Sequence, residues 1–427
     1  MAMLVRPPRL KLATLPARYW VVAGQAVVSA TSFLTNIFLA RLCGLSVFGE
    51  YSAWQMVLLL ALAAQGALIT QPMQIVYGQT PSSQHLAYRQ ALLGIQLLFS
   101  LVAVAAVAAG ATLLHYATLA LPAFLVCLVT TCGQDTARKL LLAEGRVQLA
   151  LLSDVVSGGG QLLLLLYWAA TKVTPTLPAV LWAVGLTTAP ALLLSGAALG
   201  LGWGRPMLRQ FMASHWQQAR WLLPTVLLQW ASSNALLVFA GWTSNVATLG
   251  ILRLAQTIMG LFNVGLQAAE NYAMPRLSQS FYRQPAQFRQ ERTRLTRTML
   301  LLAAGPILLL FLLAEPIVSW LHVGSAEYAY VLRWCCLLYV IILLVYPLRL
   351  TVRLLAHARP YFVGYVLSIA VSFALARWLV GHWQASGVVL GWIVAQMVLG
   401  LYWALAVWRA RSSYENEEYR GLAAESL

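Results

Sequence analysis

Six residues recur along one face of the run 246–274: Arg253, Gln256, Gly260, Asn263, Gln267 and Glu270, at steps of 3, 4, 3, 4 and 3. Residues three and four apart share a helix face, so a helix over this run carries an unbroken polar stripe. An unpartnered polar group in hydrocarbon costs several kcal/mol, and the stripe must therefore face protein or water. The functional reading is a hydrated cavity; the alternative is hydrogen bonding between helices. The chemistry open to such a face is recognition, because a guanidinium and amides bind oxyanions and hydroxyl groups. Arg253 lies seven residues inside the run, about 10 Å along the axis and too deep to snorkel comfortably. It is expected to face the cavity and attract an anionic, phosphate-bearing substrate.

Three further runs carry polar residues. The first has Gln25, Ser29, Ser32 and Asn36 on one face, the second Gln55, Gln65, Thr70, Gln71 and Gln74, and the seventh Thr225, Gln229, Ser232, Ser233 and Asn234. From these, Gln25, Asn36, Gln229 and Asn234 join Arg253, Gln256, Asn263 and Gln267 as expected cavity residues. The third run, 91–114, is almost featureless and reads as lipid-facing or packing surface. Carboxylates are few. Asp154 and Glu270 lie near helix ends and Asp135 stands beside Arg138 and Lys139, so local ion pairing is the default, with Asp154 and Glu270 the candidates for ion coupling. Neither a P-loop continuation after Gly158-Gly159-Gly160 nor a CxxC pair among the five cysteines occurs. No cofactor and no metal ligand set is expected.

The elements that position these residues follow from composition. The chain has 427 residues, 60% hydrophobic and 9% charged, against roughly 45–50% and 25% in soluble domains. So few charges cannot solvate a globule of this size, and the chain belongs in a bilayer. A spanning helix needs about 20 mainly apolar residues. Twelve segments qualify: 19–39, 52–76, 91–114, 117–134, 149–170, 178–202, 221–242, 246–274, 298–321, 329–348, 361–381 and 386–408. The fold class is thus an all-α polytopic membrane protein of twelve helices.

The net charge of +16 is explained by orientation, not by nucleic acid. Of 28 Lys and Arg, 23 fall in alternate connecting segments, and the other five are Arg41, Lys172, Arg253, Arg333 and Arg377. This bias places both termini in the cytoplasm of a multi-pass plasma (inner) membrane protein. The basic stretch 275–297 is expected to form an amphipathic helix on the inner leaflet, and the acidic tail to be disordered. Short outer loops leave no place for a general acid or base, which argues against an enzyme.

A shift of 201 positions sets Thr31-Ser32 on Ser232-Ser233, Phe48-Gly49 on Leu249-Gly250 and Met73 on Met274. The expected organisation is a first lobe of six helices over 1–202, a cytoplasmic connection over 203–220, a second six-helix lobe over 221–408 and a tail over 409–427. The two lobes would surround a central cavity.

Phe38-Leu39-Ala40-Arg41-Leu42-Cys43-Gly44 with Phe48-Gly49-Glu50-Tyr51 forms a signature. Arg138-Lys139 with Glu144-Gly145-Arg146, Leu249-Gly250 with Arg253-Leu254-Ala255-Gln256, and Met274-Pro275 extend it. Together they resemble the Wzx-type polysaccharide transporters of the multidrug/oligosaccharidyl-lipid/polysaccharide superfamily. The resemblance implies alternating-access transfer of an undecaprenyl-diphosphate-linked glycan from the cytoplasmic to the periplasmic leaflet, for cell-surface polysaccharide or O-antigen assembly. It also implies a cationic cavity for diphosphate or acidic sugars, in which Arg41 and Arg253 take part, and partners among membrane lipids and the polysaccharide polymerase and export machinery. The alternatives are a multidrug-type exporter of the same fold and a membrane glycosyltransferase or polymerase.

Overall fold

The computed structural model describes residues 17–425 apart from 115–118, 201–207, 284, 322–327 and 355–358; the side chains of Gln267, Glu270 and residues beyond Arg409 also lie outside the described set. The described residues contain ten helical stretches long and apolar enough to span a bilayer. Two of these, Val22–Gln79 and Arg359–Arg409, hold 58 and 51 residues, about twice what one crossing needs. Each is broken once. Gly44 has φ 74° and ψ 173°, and Gln384 has φ 42° and ψ −118°. Glycine adopts a positive φ without strain, which suits residue 44 to the turn. The twelve expected spans are accounted for in this way.

The helices are α1 (17–43), α2 (45–79), α3 (His85–Leu113), α4 (Ala120–Ala143), α5 (Val147–Thr171), α6 (Leu177–Leu199), α7 (Leu208–Thr243), α8 (Val246–Arg283), α9 (Pro285–Leu312), α10 (Ala329–Leu354), α11 (359–383) and α12 (385–425). A short helix, Ala314–Trp320, follows α9. Within α2, Gly66–Thr70 forms a π turn just before Pro72. Proline supplies no N–H and crowds the preceding turn, and the extra residue absorbs the mismatch.

Helices α1–α6 pack among themselves, as do α7–α12; contact between the sets runs chiefly through α1 and α2 against α8 and α7. The main apolar core crosses this seam, joining Leu39, Phe48 and Trp54 to Leu237, Leu252 and Ile258. A second core at the opposite end gathers Met73, Tyr88, Leu92 and Leu141 around Phe211, in the first turns of α7. The segment expected as a connection over 203–220 is therefore helical from Leu208. It is fastened by His215, whose ring nitrogens meet the Tyr88 hydroxyl (2.8 Å) and the Leu68 carbonyl (3.3 Å). Leu97, Leu98, Leu101 and Val102 of α3 are exposed, as an apolar lipid-facing helix requires.

Two expectations are corrected here. The stretch 275–297 is not a separate surface helix: α8 runs to Arg283 and α9 begins at Pro285, with Ser280 donating to Glu291 across the junction (2.7 Å). Helix does not stop where apolarity stops, because Arg, Gln and Glu are themselves good helix formers. For the same reason the tail, expected as disordered, continues α12 to Glu425.

Candidate functional site

The polar stripe of α8 faces inward. Its opposite face is buried through Leu252, Leu254, Ala255, Ile258 and Met259, which fixes the rotation of the helix and turns Arg253, Gln256, Gly260 and Asn263 to open space. Two cavities meet there. The wide one, of 590 Å³, is lined by Ser232, Ser233 and Asn234 of α7, Arg253, Gln256 and Asn263 of α8, Tyr339, Tyr346 and Arg349 of α10, Tyr365 and Ser368 of α11, and Gln396 and Trp403 of α12, with apolar residues between. The narrow one, of 350 Å³, is lined by Ser29, Ser32 and Asn36 of α1, Gln55 of α2, and Arg253, Gln256 and Gly260 of α8. Val28, Phe33, Leu59, Leu261 and Val264 supply its apolar wall.

Arg253 and Gln256 belong to both cavities. The guanidinium donates to Gln256 Oε1 (3.0 Å) and to Gln55 Oε1 (3.3 Å). Both acceptors are neutral amides. Among the described residues Arg253 makes no ion pair, and neither cavity has an Asp or Glu in its lining. A half-buried cation held by amide oxygens keeps its full charge available to a ligand, which is the electrostatic condition for binding an anion.

The expected residues divide. Gln256, Asn263 and Asn234 line the wide cavity and Asn36 the narrow one. Asn36 donates to the Ser32 carbonyl (3.0 Å) while its own Oδ1 is buried without a partner, and Asn234 donates to the Trp230 carbonyl (2.9 Å). Gln25, exposed, reaches Ser29 at 3.5 Å, and Gln229 donates to the Tyr361 hydroxyl at 3.4 Å. Gln267 and Glu270 lie on the same helix, with side chains outside the described set. Arg41 is not brought to the cavities. It sits at the Gly44 end with its guanidinium 4.9 Å from the centre of the Trp320 ring. Asp154 is buried and ion-paired to Arg138, with Oδ1 2.7 Å from Nε, away from both cavities.

Arg349 is the cavity cation that sequence reasoning missed. It begins the connecting segment assigned to 349–360, because a charge ends the apolar run. The structure carries α10 on to Leu354 and places Arg349 in the cavity wall. The signal was the spacing: Tyr346 and Arg349 are three apart and Tyr361 and Tyr365 four apart, each pair on one helix face.

No family model matches this chain, and no curated protein matches it in sequence. Solved structures do match in fold. A lipid II flippase, MurJ, in an inward closed conformation superposes with a TM-score of 0.72 at 10% identity, covering 91% of this chain and 87% of the other. An outward-facing multidrug-resistance MATE transporter gives 0.63 at 14%, over 95% and 98%. A transporter of the same superfamily from Pyrococcus furiosus, described as having a binding pocket of reversed polarity, gives 0.60 at 14%, over 91% and 94%. The chain has the helical fold that these proteins share, and these structural neighbours are transporters, not enzymes.

Proposed function

We propose that this protein is a flippase that carries a polyprenyl-diphosphate-linked oligosaccharide from the cytoplasmic to the periplasmic leaflet of the plasma membrane. Two six-helix lobes, 1–202 and 221–408, open alternately to either side. The observation that carries the reading is Arg253, half-buried where the two cavities meet and held, among the described residues, by amide oxygens. A diphosphate at this junction satisfies the guanidinium in a bidentate manner. It also leaves the glycan to the hydroxyl- and amide-lined wide cavity and the first isoprene units to the apolar wall of the narrow one. Both termini face the cytoplasm, and the product feeds polymerisation and export of a cell-surface polysaccharide.

A multidrug exporter of the same fold is the second reading, favoured by the good superposition on MATE transporters. An organic cation, however, would meet Arg253 and Arg349, and among the described lining residues no carboxylate offsets them. Reconstituted vesicles separate the two. The flippase reading expects leaflet-to-leaflet transfer of a lipid-linked oligosaccharide, scored by its accessibility to an external oxidant, and no gradient-driven uptake of ethidium. Ethidium transport without transfer of the lipid-linked sugar overturns it.

A further inference from the structure

Gln55 and Arg253 stand on opposite sides of the seam between the two helix sets, 198 positions apart, and Gln55 Oε1 accepts from Arg253 Nη2 at 3.3 Å. On its own helix, Arg253 Nη1 donates to Gln256 Oε1 at 3.0 Å. The wide cavity is built on the second set: among its described lining residues Leu59 alone comes from α1–α6. Leu59 lies four residues beyond Gln55 on the same face of α2. Gln55 is thus the polar side chain by which α2 holds the cavity cation.

Its place along the seam matters as much as its partner. Gln55 lies six residues after Gly49 on α2, and Arg253 three residues after Gly250 on α8. At those two glycines a Cβ would collide with the backbone of the facing helix. With a rise of 1.5 Å per residue, the bond sits about 5–9 Å from this crossing, on its cavity side. Phe48 and Trp54 of α2 and Leu252 and Ile258 of α8 fill the same seam with apolar packing.

A neutral amide is a weak competitor for a guanidinium. The two edges that grip an oxyanion in a fork are Nη1 with Nη2 and Nε with Nη2. Both include Nη2, the nitrogen that Gln55 holds. A hydrogen bond between two charged partners outweighs one to a neutral acceptor. An anionic oxygen brought up to Nη2 also repels Gln55 Oε1, which can only accept.

We infer that Gln55 is a positioning residue that links anion binding to the seam: resting on the proposed function for the anion, a diphosphate at Arg253 displaces Gln55 and so loosens α2 from α8. Without cargo the bond stays in place and the crossing stays fastened. Loading the site is therefore what frees the two helix sets to move.

The test uses the full-length protein in nanodiscs, with inorganic diphosphate and a short-chain polyprenyl diphosphate as probes. It reads the affinity of each probe and the maleimide-labelling rate of half-buried Cys43 at the end of α1; the other four cysteines are buried. In wild type each probe is expected to speed labelling by about tenfold, the worth of one hydrogen bond to a charged group. Gln55→Met, close in size but without the acceptor, labels without probe about as fast as wild type does with it, and gains no further speed. It also binds the probes more tightly than wild type, a gain that a merely structural residue would not give. Thermal unfolding of each variant shows that it is folded. Probe binding that is lost in Arg253→Gln, yet leaves Cys43 labelling unmoved or speeds it equally in wild type and Gln55→Met, overturns the inference and leaves the anion site standing. Absence of Arg253-dependent binding overturns the anion site, and the inference with it.

Discussion

Gly49 and Gly250 occupy matching places on the two sides of a single contact. A Cβ on Gly250 would stand 2.5 Å from the Leu45 carbonyl oxygen, and a Cβ on Gly49 would collide with the Val246 carbonyl. Leu45 and Val246, like Gly49 and Gly250, are 201 positions apart. The starts of α2 and α8 therefore cross by one contact made twice, about a local two-fold axis. Only hydrogen at both crossing points allows the backbones so close.

Gly250→Val is accordingly expected to force the crossing apart, at a cost of about 1–3 kcal/mol for overpacking. The variant should loosen the contact between α2 and α8 at this crossing. Half-buried Cys43 lies beside the crossing, and its labelling by a maleimide should accelerate in the variant. Gly110→Val is the control, because nothing lies within 4 Å of a Cβ there. Equal labelling of Gly250→Val and wild type would contradict the idea that this contact holds the end closed.

Gln55 offers a sharper test of the site. Its Oε1 accepts from Arg253 at 3.3 Å. Gln55→Glu puts a carboxylate in the same place and neutralises the guanidinium internally. Transport of the lipid-linked cargo should fall by at least about tenfold, equivalent to 1.4 kcal/mol in the barrier, with thermal stability held or raised. Undiminished transport would mean that the free charge of Arg253 is not used.

Asp154 and Arg138 form a pair whose side chains are 3% and 17% exposed. Removing one partner strands the other, at a cost of about 3–5 kcal/mol. Asp154→Asn and Arg138→Gln should each lower the unfolding temperature, and the double variant should lose less than the sum of the two. A stable Asp154→Asn protein whose transport no longer responds to an ion gradient would instead assign this carboxylate to coupling.

His215 gives a pH dependence. Burial holds its pKa below the ordinary 6.5, partly offset by the hydrogen bond to the Leu68 carbonyl, so the imidazole docked against Tyr88 is neutral. A group whose folded pKa is depressed contributes stability that is full above the unfolded value and is lost as pH falls below it. The melting temperature should therefore drop as pH falls from 6.5, and His215→Gln should flatten that slope. A slope unchanged in the variant would place the acid sensitivity elsewhere.

Much of the fold is legible in the sequence because lipid imposes a simple rule. Apolar runs long enough to cross a bilayer mark helices, and the break between α1 and α2 and the one between α7 and α8 fall 201 residues apart in both sequence and structure. Helix ends are less legible. Arg349, and the turns from Leu208 to Arg220, end the apolar pattern without ending the helix, since α10 houses its arginine in protein and the start of α7 docks through Phe211 and His215. The α8 stripe could be read from spacing alone. The different fates of Arg41 and Arg253 could not, because Trp320, which takes Arg41, is brought there by the packing of distant helices.

In the proposed cycle an unneutralised guanidinium at the meeting of two cavities binds the moving anion. The most direct measurement compares Arg253→Ala with Arg253→Lys at wild-type protein levels, reading initial transfer of the lipid-linked oligosaccharide between leaflets. Arg253→Ala is expected to lose at least about a hundredfold, the equivalent of two charge-assisted hydrogen bonds, with partial retention in Arg253→Lys, which keeps the charge but not the fork. Full transfer by both variants would contradict it.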